Sequence, residues 1–412
     1  MTGSDPRTVC TPIVGRPDCE RRNLRICMLS DDFLPAATGV GVHVQRLSQD
    51  LAMRGHEVVV VTSRRAGEPV REVKDGVVVY RVFTLKMFGF YQALPGPTTL
   101  ARIFREHRVQ LVHLHYLGFM LLLAMWVARR LQLPVVHTYH MTVDHLTQPL
   151  LMRPLRPLLA SVIRWVCRRF AHIIVPSQAL ATQLQRVTSV PLTAISNPVV
   201  FEQVEHVEPV TKPLPFMVLF AGRLNPEKNL PMLLRAFALA HRRRPGLGLW
   251  IAGHGDQRAR LEAMAADLGV GEAVRFLGFL PHAELARYFA ACDLFVLPSL
   301  VETQGLVAME AMRFKRPVIV TSAIVSAQEL VEAGRTGFIV DPVDPNDLAR
   351  RLCELAADPS VCRQMGAAGY ERSLAFSPEQ VVLATESCLR GVLRSSGRVA
   401  FNVVTFPGRR AA

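Results

Sequence analysis

Several absences narrow the class of this chain before any motif is read. Its eight cysteines, at 10, 19, 27, 167, 292, 353, 362 and 388, include no C-x-x-C pair. That argues against both a disulfide framework and a cysteine zinc cluster, and it fits a reducing cytoplasm. The longest apolar run, YLGFMLLLAMWVA (116–128), has 13 residues, short of the roughly 17–25 that a spanning helix needs, and reads as a buried helix. Residues 1–22 lack the apolar h-region of a signal peptide and read as a disordered leader. No D-x-D carboxylate pair occurs. Acid is scarce in the first half: between Glu106 and Glu202 the only one is Asp144. Residues 1–200 hold 24 Lys+Arg against 12 Asp+Glu, whereas 201–412 hold 24 against 22.

What is present is the composition of a folded protein. A chain of 412 residues, half of them apolar, exceeds one ordinary core and predicts two domains. Strand-length apolar runs alternate with helical patterns: RICMLS (25–30), EVVVVTS (57–63), VVVYRV (77–82), LVHLH (111–115), VVHTYH (135–140), HIIVPS (172–177) and LTAIS (192–196). After the proline-rich 201–215 the rhythm restarts with FMVLFAGR (216–223), LGLWIAGHG (247–255), VRFLGF (274–279), LFVLPS (294–299), PVIVT (317–321) and GFIVD (337–341). Continuous β-branched runs of this kind suit parallel strands buried on both faces. The expectation is an α/β protein with two Rossmann-like, doubly wound parallel sheets facing a cleft, at 23–205 and 216–376, joined by a linker at 206–215. A last helix, 377–396, could pack on either domain. Ligands of such sheets collect beyond the carboxyl ends of the strands.

The candidate chemistry lies at those strand ends. In ETQGLVAME (302–310), Gly305 stands where a strand gives way to a helix. Its backbone can approach an anion closely, and the helix N-terminus favours negative charge. Glu302 just before it could accept hydrogen bonds from ligand hydroxyls, and Glu310 could reach a vicinal diol. In AGRLNPEKN (221–229), Gly222 is followed by Arg223 and Lys228, two cations able to flank a diphosphate. Gly39 and Gly41 open a helix in TGVGVHV, and His140 ends HTYH beyond a strand tip. Each feature alone has an ordinary structural explanation. Two loops of one domain with anion-binding chemistry weigh towards function.

LMRPLRPLLASVIRWVCRRF (151–170) interleaves arginines with large apolar residues. Arg153, Arg156, Arg164, Trp165, Arg168 and Arg169 would suit an anionic membrane surface, at about 1 kcal/mol for each basic residue near the headgroups. A solvated basic face is the plainer alternative. Nucleic acid is not expected as a partner, since no helix-turn-helix, zinc-finger or RNP motif accompanies the charge.

Taken together, TGVGVHV, HTYH, AGRLNPEK, AGHGDQRARL, FLGFLPHAELARYFAACDLFVLPS and ETQGLVAMEAM resemble the retaining GT-B glycosyltransferases of family 4, in order over about 23–375. ETQG in place of the more frequent E-x-F-G, with Asp144 after HTYHM, is similar to bacterial diacylglycerol glucosyltransferases. The resemblance implies that Glu302 contacts the donor sugar and that the backbone at Gly305 and Leu306 meets the sugar diphosphate. It implies that Glu310 holds the ribose and that Arg223 and Lys228 carry the charge of the departing nucleotide. Gly39 would leave room at the cleft, His140 would lie near the anomeric carbon, and Phe279 and Leu280 would frame the base.

The implied reaction is metal-independent, needs no cofactor beyond a nucleotide-sugar co-substrate such as UDP-glucose, and moves a hexose to a membrane lipid, diacylglycerol. The enzyme would sit peripherally on the inner face of the cell membrane. Rival readings are the same chemistry on a phosphatidylinositol, polyprenyl-linked or soluble sugar acceptor, a GT-B-fold anion binder without turnover, and a sugar-nucleotide epimerase.

Overall fold

In the computed structural model, which describes residues 23–33, 39–87, 90–116, 118–140, 154, 156–199 and 206–396, the apolar runs become the strands of two sheets. The first contains β1 (Arg25–Leu29), β2 (Glu57–Ser63), β3 (Arg71–Lys74), β4 (Val77–Val82), β7 (Leu111–Leu114), β8 (Val135–Thr138), β9 (His172–Val175) and β10 (Leu192–Ala194). Their order is β10-β9-β8-β7-β1-β2-β4-β3. All neighbours pair in parallel except the edge strand β3, which is antiparallel to β4. β5 (Thr84–Met87) and β6 (Phe90–Ala93) form a separate antiparallel hairpin. Neither β3 nor the hairpin was foreseen, because REVK and TLKM are short and charged and carry no buried apolar run.

Strand alternation divides the first core in two. Cys27 and Leu29 point to one face, where α2 (Pro97–Glu106), α3 (Phe119–Arg130), α4 (Arg156–Cys167) and α5 (Gln178–Gln185) supply Leu100, Met120, Cys167 and Leu180. Ile26 and Met28 point to the other, against Val44 and Leu47 of α1 (Gly39–Met53).

The second sheet contains β11 (Phe216–Ala221), β12 (Leu247–Ala252), β13 (Val274–Gly278), β14 (Leu294–Leu297), β15 (Val318–Thr321) and β16 (Gly337–Val340), in the order β13-β12-β11-β14-β15-β16 and parallel throughout. It is covered by α6 (Leu230–Arg243), α7 (Arg258–Asp267), α8 (His282–Ala291), α9 (Leu306–Arg313), the short α10 (Ala327–Leu330), α11 (Pro345–Ala357) and α12 (Pro359–Ser373). The strand order reverses between β11 and β14, so the turns after these two strands open at the crevice where doubly wound sheets bind ligands.

Two expectations need correction, and a third is decided between its alternatives. The 206–215 stretch is not a free linker: Val207, Val210 and Leu214 pack on the second core, and Val199, assigned to the first domain, is buried in that core as well. The run 116–128 is not wholly buried, since Phe119, Leu122 and Trp126 of α3 are about half exposed. The last helix, α13 (Pro378–Ser395), has one settled position. Val381, Val382, Leu389, Val392 and Leu393 join the core of the first domain beside β1 and β2, and Glu386 pairs with Arg54 at 2.7 Å. The leader 1–22 lies outside the described residues.

Candidate functional site

On the second domain the site is assembled from the turns after β11 and β14. Gly222 leaves β11, and Pro226–Lys228 form one 3-10 turn before α6. The N–H of Leu300 donates to the Glu227 carbonyl at 2.8 Å, tying this turn to the loop after β14. Lys228 Nζ then reaches Glu302 Oε2 at 2.5 Å, with both side chains largely buried. Gly305 caps α9 at φ 76°, ψ 49°, and an added Cβ would come 3.1 Å from Leu297 Cδ2. Only glycine fits that left-handed position without strain. The turn after β11 also packs tightly on the turn after β12, where an added Cβ on Gly253 would lie 1.8 Å from the Gly222 carbonyl oxygen. Lys228, Glu302 and the head of α9 therefore share one corner, as the spacing suggested.

The other predicted residues are placed less simply. Arg223 is 66% exposed in its side chain and pairs with Glu227 at 3.5 Å, so it stands at the rim and not on Lys228. Glu310 faces His282 at 3.8 Å across the start of α8. Phe279 is exposed and meets His254 edge-on at 5.8 Å, while Leu280 is half-buried. Leu306 is the first residue of α9. Gly39 opens α1 with free space about it. Gly41 is buried, with Asp32 3.4 Å from where a Cβ would stand.

On the first domain, the ends of β7 and β8 and the first turns of α1 bring histidines together. His115 Nδ1 lies 3.3 Å from His140 Nε2, and the ring of His43 is centred 4.8 Å from that of His140. His113 packs on His115 at 4.0 Å and shares a 2.7 Å hydrogen bond with Thr138 Oγ1. His137 Nδ1 donates to the Leu114 carbonyl at 3.0 Å. Burial pushes His43 and His137 down to about 4 and His113 to about 3. It also holds His115 and His140 well below the usual imidazole range, with neighbouring histidines adding to the effect. His140 is therefore a neutral hydrogen-bonding group near pH 7. His43, His115 and His140 each offer a nitrogen within 4.8 Å of the others. Three such nitrogens are a donor set that could hold a metal ion, and the residue pattern did not single it out.

Tyr139, next to His140, and Glu302 line one cavity. Residues 37–203 match the family described as Glycosyltransferase Family 4, and residues 203–372 match Glycosyl transferases group 1. The chain belongs to the family 4 glycosyltransferases. This glycosyltransferase is 27% identical over 322 residues to an alpha-monoglucosyldiacylglycerol synthase of Streptococcus pneumoniae, covering 72% of this chain and 70% of that one. It is 30% identical over 370 residues, 84% and 93% of the two chains, to a GDP-mannose-dependent alpha-(1-6)-phosphatidylinositol monomannoside mannosyltransferase of Mycolicibacterium smegmatis. Its fold matches that of Anabaena Alr3699/HepE in complex with UDP and glucose at a TM-score of 0.69, with 19% identity over 90% of this chain and 100% of that one. Together the fold is GT-B and the enzyme a hexosyltransferase.

Two features of the glycosyltransferase escaped the reading of the residues. His43 and His115 were not singled out, although GVHV places a histidine one turn into α1 and LVHLH places His115 at a strand tip. On the outer surface, Trp165 of α4 carries Arg169 over its ring at 3.4 Å, with Leu158 and Val162 exposed beside it. The exposed stripe Phe119, Leu122, Trp126 of α3, with Arg130 4.8 Å over Trp126, repeats that pattern on the same face of the sheet. Arg164 and Arg168 are exposed, Arg156 begins α4, and Arg153 lies outside the described residues. No helix among the described residues is long and apolar enough to cross a membrane.

Proposed function

We propose that the enzyme transfers glucose from UDP-glucose to diacylglycerol with retention of anomeric configuration, without a metal ion, while resting on the inner surface of the cell membrane. The observation that carries the donor side is the Lys228–Glu302 pair at the head of α9. When the donor enters, Lys228 turns to the diphosphate and Glu302 to the sugar hydroxyls, with the backbone at Gly305 on the phosphate. Arg223 swings in from the rim, and Glu310 takes the ribose. The C1–O bond to the diphosphate breaks as the acceptor oxygen bonds to C1 on the same face, and the acceptor proton passes to the departing phosphate oxygen. Lys228 and Arg223 stabilise that leaving charge, and neutral His140 positions the sugar. No other cofactor takes part.

The acceptor assignment is supported by the tryptophan–arginine stripes of α3 and α4 and by the similarity to the pneumococcal glucosyldiacylglycerol synthase. The similarity to the phosphatidylinositol mannoside enzyme favours a second reading, mannosyl transfer from GDP-mannose to a phosphatidylinositol lipid. The deciding experiment offers UDP-glucose and GDP-mannose to the purified protein with anionic vesicles holding either diacylglycerol or phosphatidylinositol mannoside. The lipid products are then identified by mass spectrometry and their anomers by NMR. Glucosyl-diacylglycerol of the α configuration is expected; mannosyl transfer alone would replace the first reading with the second.

A further inference from the structure

Between the two domains lies a cavity of about 550 Å³, with Tyr139 and Glu302 in its lining. One wall is the flank of α4, with Ala160, Ile163, Arg164 and Cys167. A second is α5, with Leu180, Leu184 and Val187, and the roof is the loop Leu300–Thr303 with Ala323 and Val325 of the second domain. The volume falls within the roughly 300–1,000 Å³ of small-ligand pockets, and apart from Arg164, Gln183, Glu302 and Thr303 those walls are apolar. Glu302 is in the lining, so whatever fills the cavity lies beside the residue proposed to grip the donor sugar. The opposite face of the same helix exposes Leu158, Val162 and Trp165.

We infer that this cavity holds one acyl chain of the glycerolipid acceptor. The inference rests on the proposed lipid acceptor and adds where its tail goes. α4 has one flank in the cavity and one on the exposed tryptophan–arginine surface, so a chain drawn from a bilayer under α4 stays on apolar surface along the way. Its glycerol end is then delivered towards Glu302 while Arg164 remains at the mouth, beside the phosphates of neighbouring anionic lipids. The roof is well placed to respond to filling. Val325 N–H donates to the Glu302 carbonyl at 3.1 Å, so a chain that presses on Val325 also acts on the backbone of the residue that grips the sugar.

The test compares the wild-type enzyme with Ala160→Trp and Leu184→Trp, which fill the cavity, using dioctanoyl- and dipalmitoylglycerol in anionic vesicles. In the wild type the KM for the longer acceptor is expected to be lower. In the filled variants that preference is expected to vanish, with a KM for dipalmitoylglycerol raised roughly tenfold and the KM for the donor unchanged. A second measurement needs no turnover: diacylglycerol with a diazirine on one acyl chain is photolysed with the protein, and the labelled peptides are sequenced. Labels within 157–187 or 300–303, lost in Ala160→Trp, support the inference; labels elsewhere, or a filled variant that labels and discriminates like the wild type, overturn it. If the wild type glycosylates no lipid, the acceptor reading fails, and the cross-link still reports whether the cavity takes an alkyl chain.

Discussion

Lys228 and Glu302, 74 residues apart, meet at 2.5 Å across the ends of β11 and β14. Without a donor each satisfies the other, and a sugar diphosphate must part them and supply both with new partners. Lys228→Ala and Glu302→Gln are each expected to lower kcat/KM by roughly 10²–10³. Stability should fall as well, more in Lys228→Ala than in Glu302→Gln, because removing one partner of a largely buried pair leaves the other charge uncompensated. Initial rates beside thermal unfolding curves check this; wild-type turnover in either variant would remove that residue from the chemistry.

Gln304, within the same ETQG stretch, joins the two domains. Its Oε1 accepts from the Asn197 backbone N–H at 3.1 Å and from Asn197 Nδ2 at 2.8 Å, and its Nε2 donates to Ser196 Oγ at 2.5 Å. Gln304→Ala leaves buried Asn197 donors without an acceptor, at a cost of about 1–3 kcal/mol. A lower denaturation midpoint and a raised donor KM are expected, with Gln304→Glu recovering part of both because it still accepts. Unchanged values in the alanine variant would show that the latch has no weight.

The histidine cluster predicts how stability follows pH. His43, His113 and His137 have folded pKa values of about 4, 3 and 4, below the roughly 6.5 of an unfolded histidine. Between these values the unfolded chain binds protons that the folded chain refuses. Their stabilising effect is therefore complete above about pH 6.5 and is lost as pH falls towards 4, by at most about 1.4 kcal/mol per pH unit for each histidine. Urea midpoints at about pH 7 and about pH 5 should show a marked drop, and His43→Gln should flatten it. A pH-independent midpoint across that window would contradict the buried, neutral assignment.

Much of this site could be read from residue order, because parallel strands declare themselves as unbroken apolar runs and their helices begin at glycine turns. Gly305, Lys228 and Glu302 were legible for that reason. What stayed hidden depends on side-chain direction. Arg223 and Lys228 share one turn, but their separate exits from it leave one at the rim and the other on Glu302. His43 and His115 sit 72 positions apart, and nothing local says that the start of α1 meets the end of β7. The exposed half of α3 was obscured because a helix apolar all round looks buried until its neighbours are known.

Membrane contact is expected to involve both helices of the outer layer. Arg164→Glu, Arg168→Glu and Arg169→Glu together should release the protein from anionic vesicles, an effect that shrinks as salt screens the charges, and Trp126→Ala alone should weaken binding. Sedimentation with vesicles reads the effect. If Trp126→Ala sediments like the wild type while the triple variant does not, α4 alone forms the contact.

The chain passes between its two sheets twice, and at the passage the N–H of Val199 donates to the carbonyl of Phe376 at 3.0 Å. Beyond Phe376, α13 is cemented to the first domain by its buried valines and leucines. A body hung from two adjacent cords swings like a door about the line joining them and resists spinning or sliding. Any closure of the cleft would then pivot at that crossing, with the Gln304 bonds to Ser196 and Asn197 as its stop.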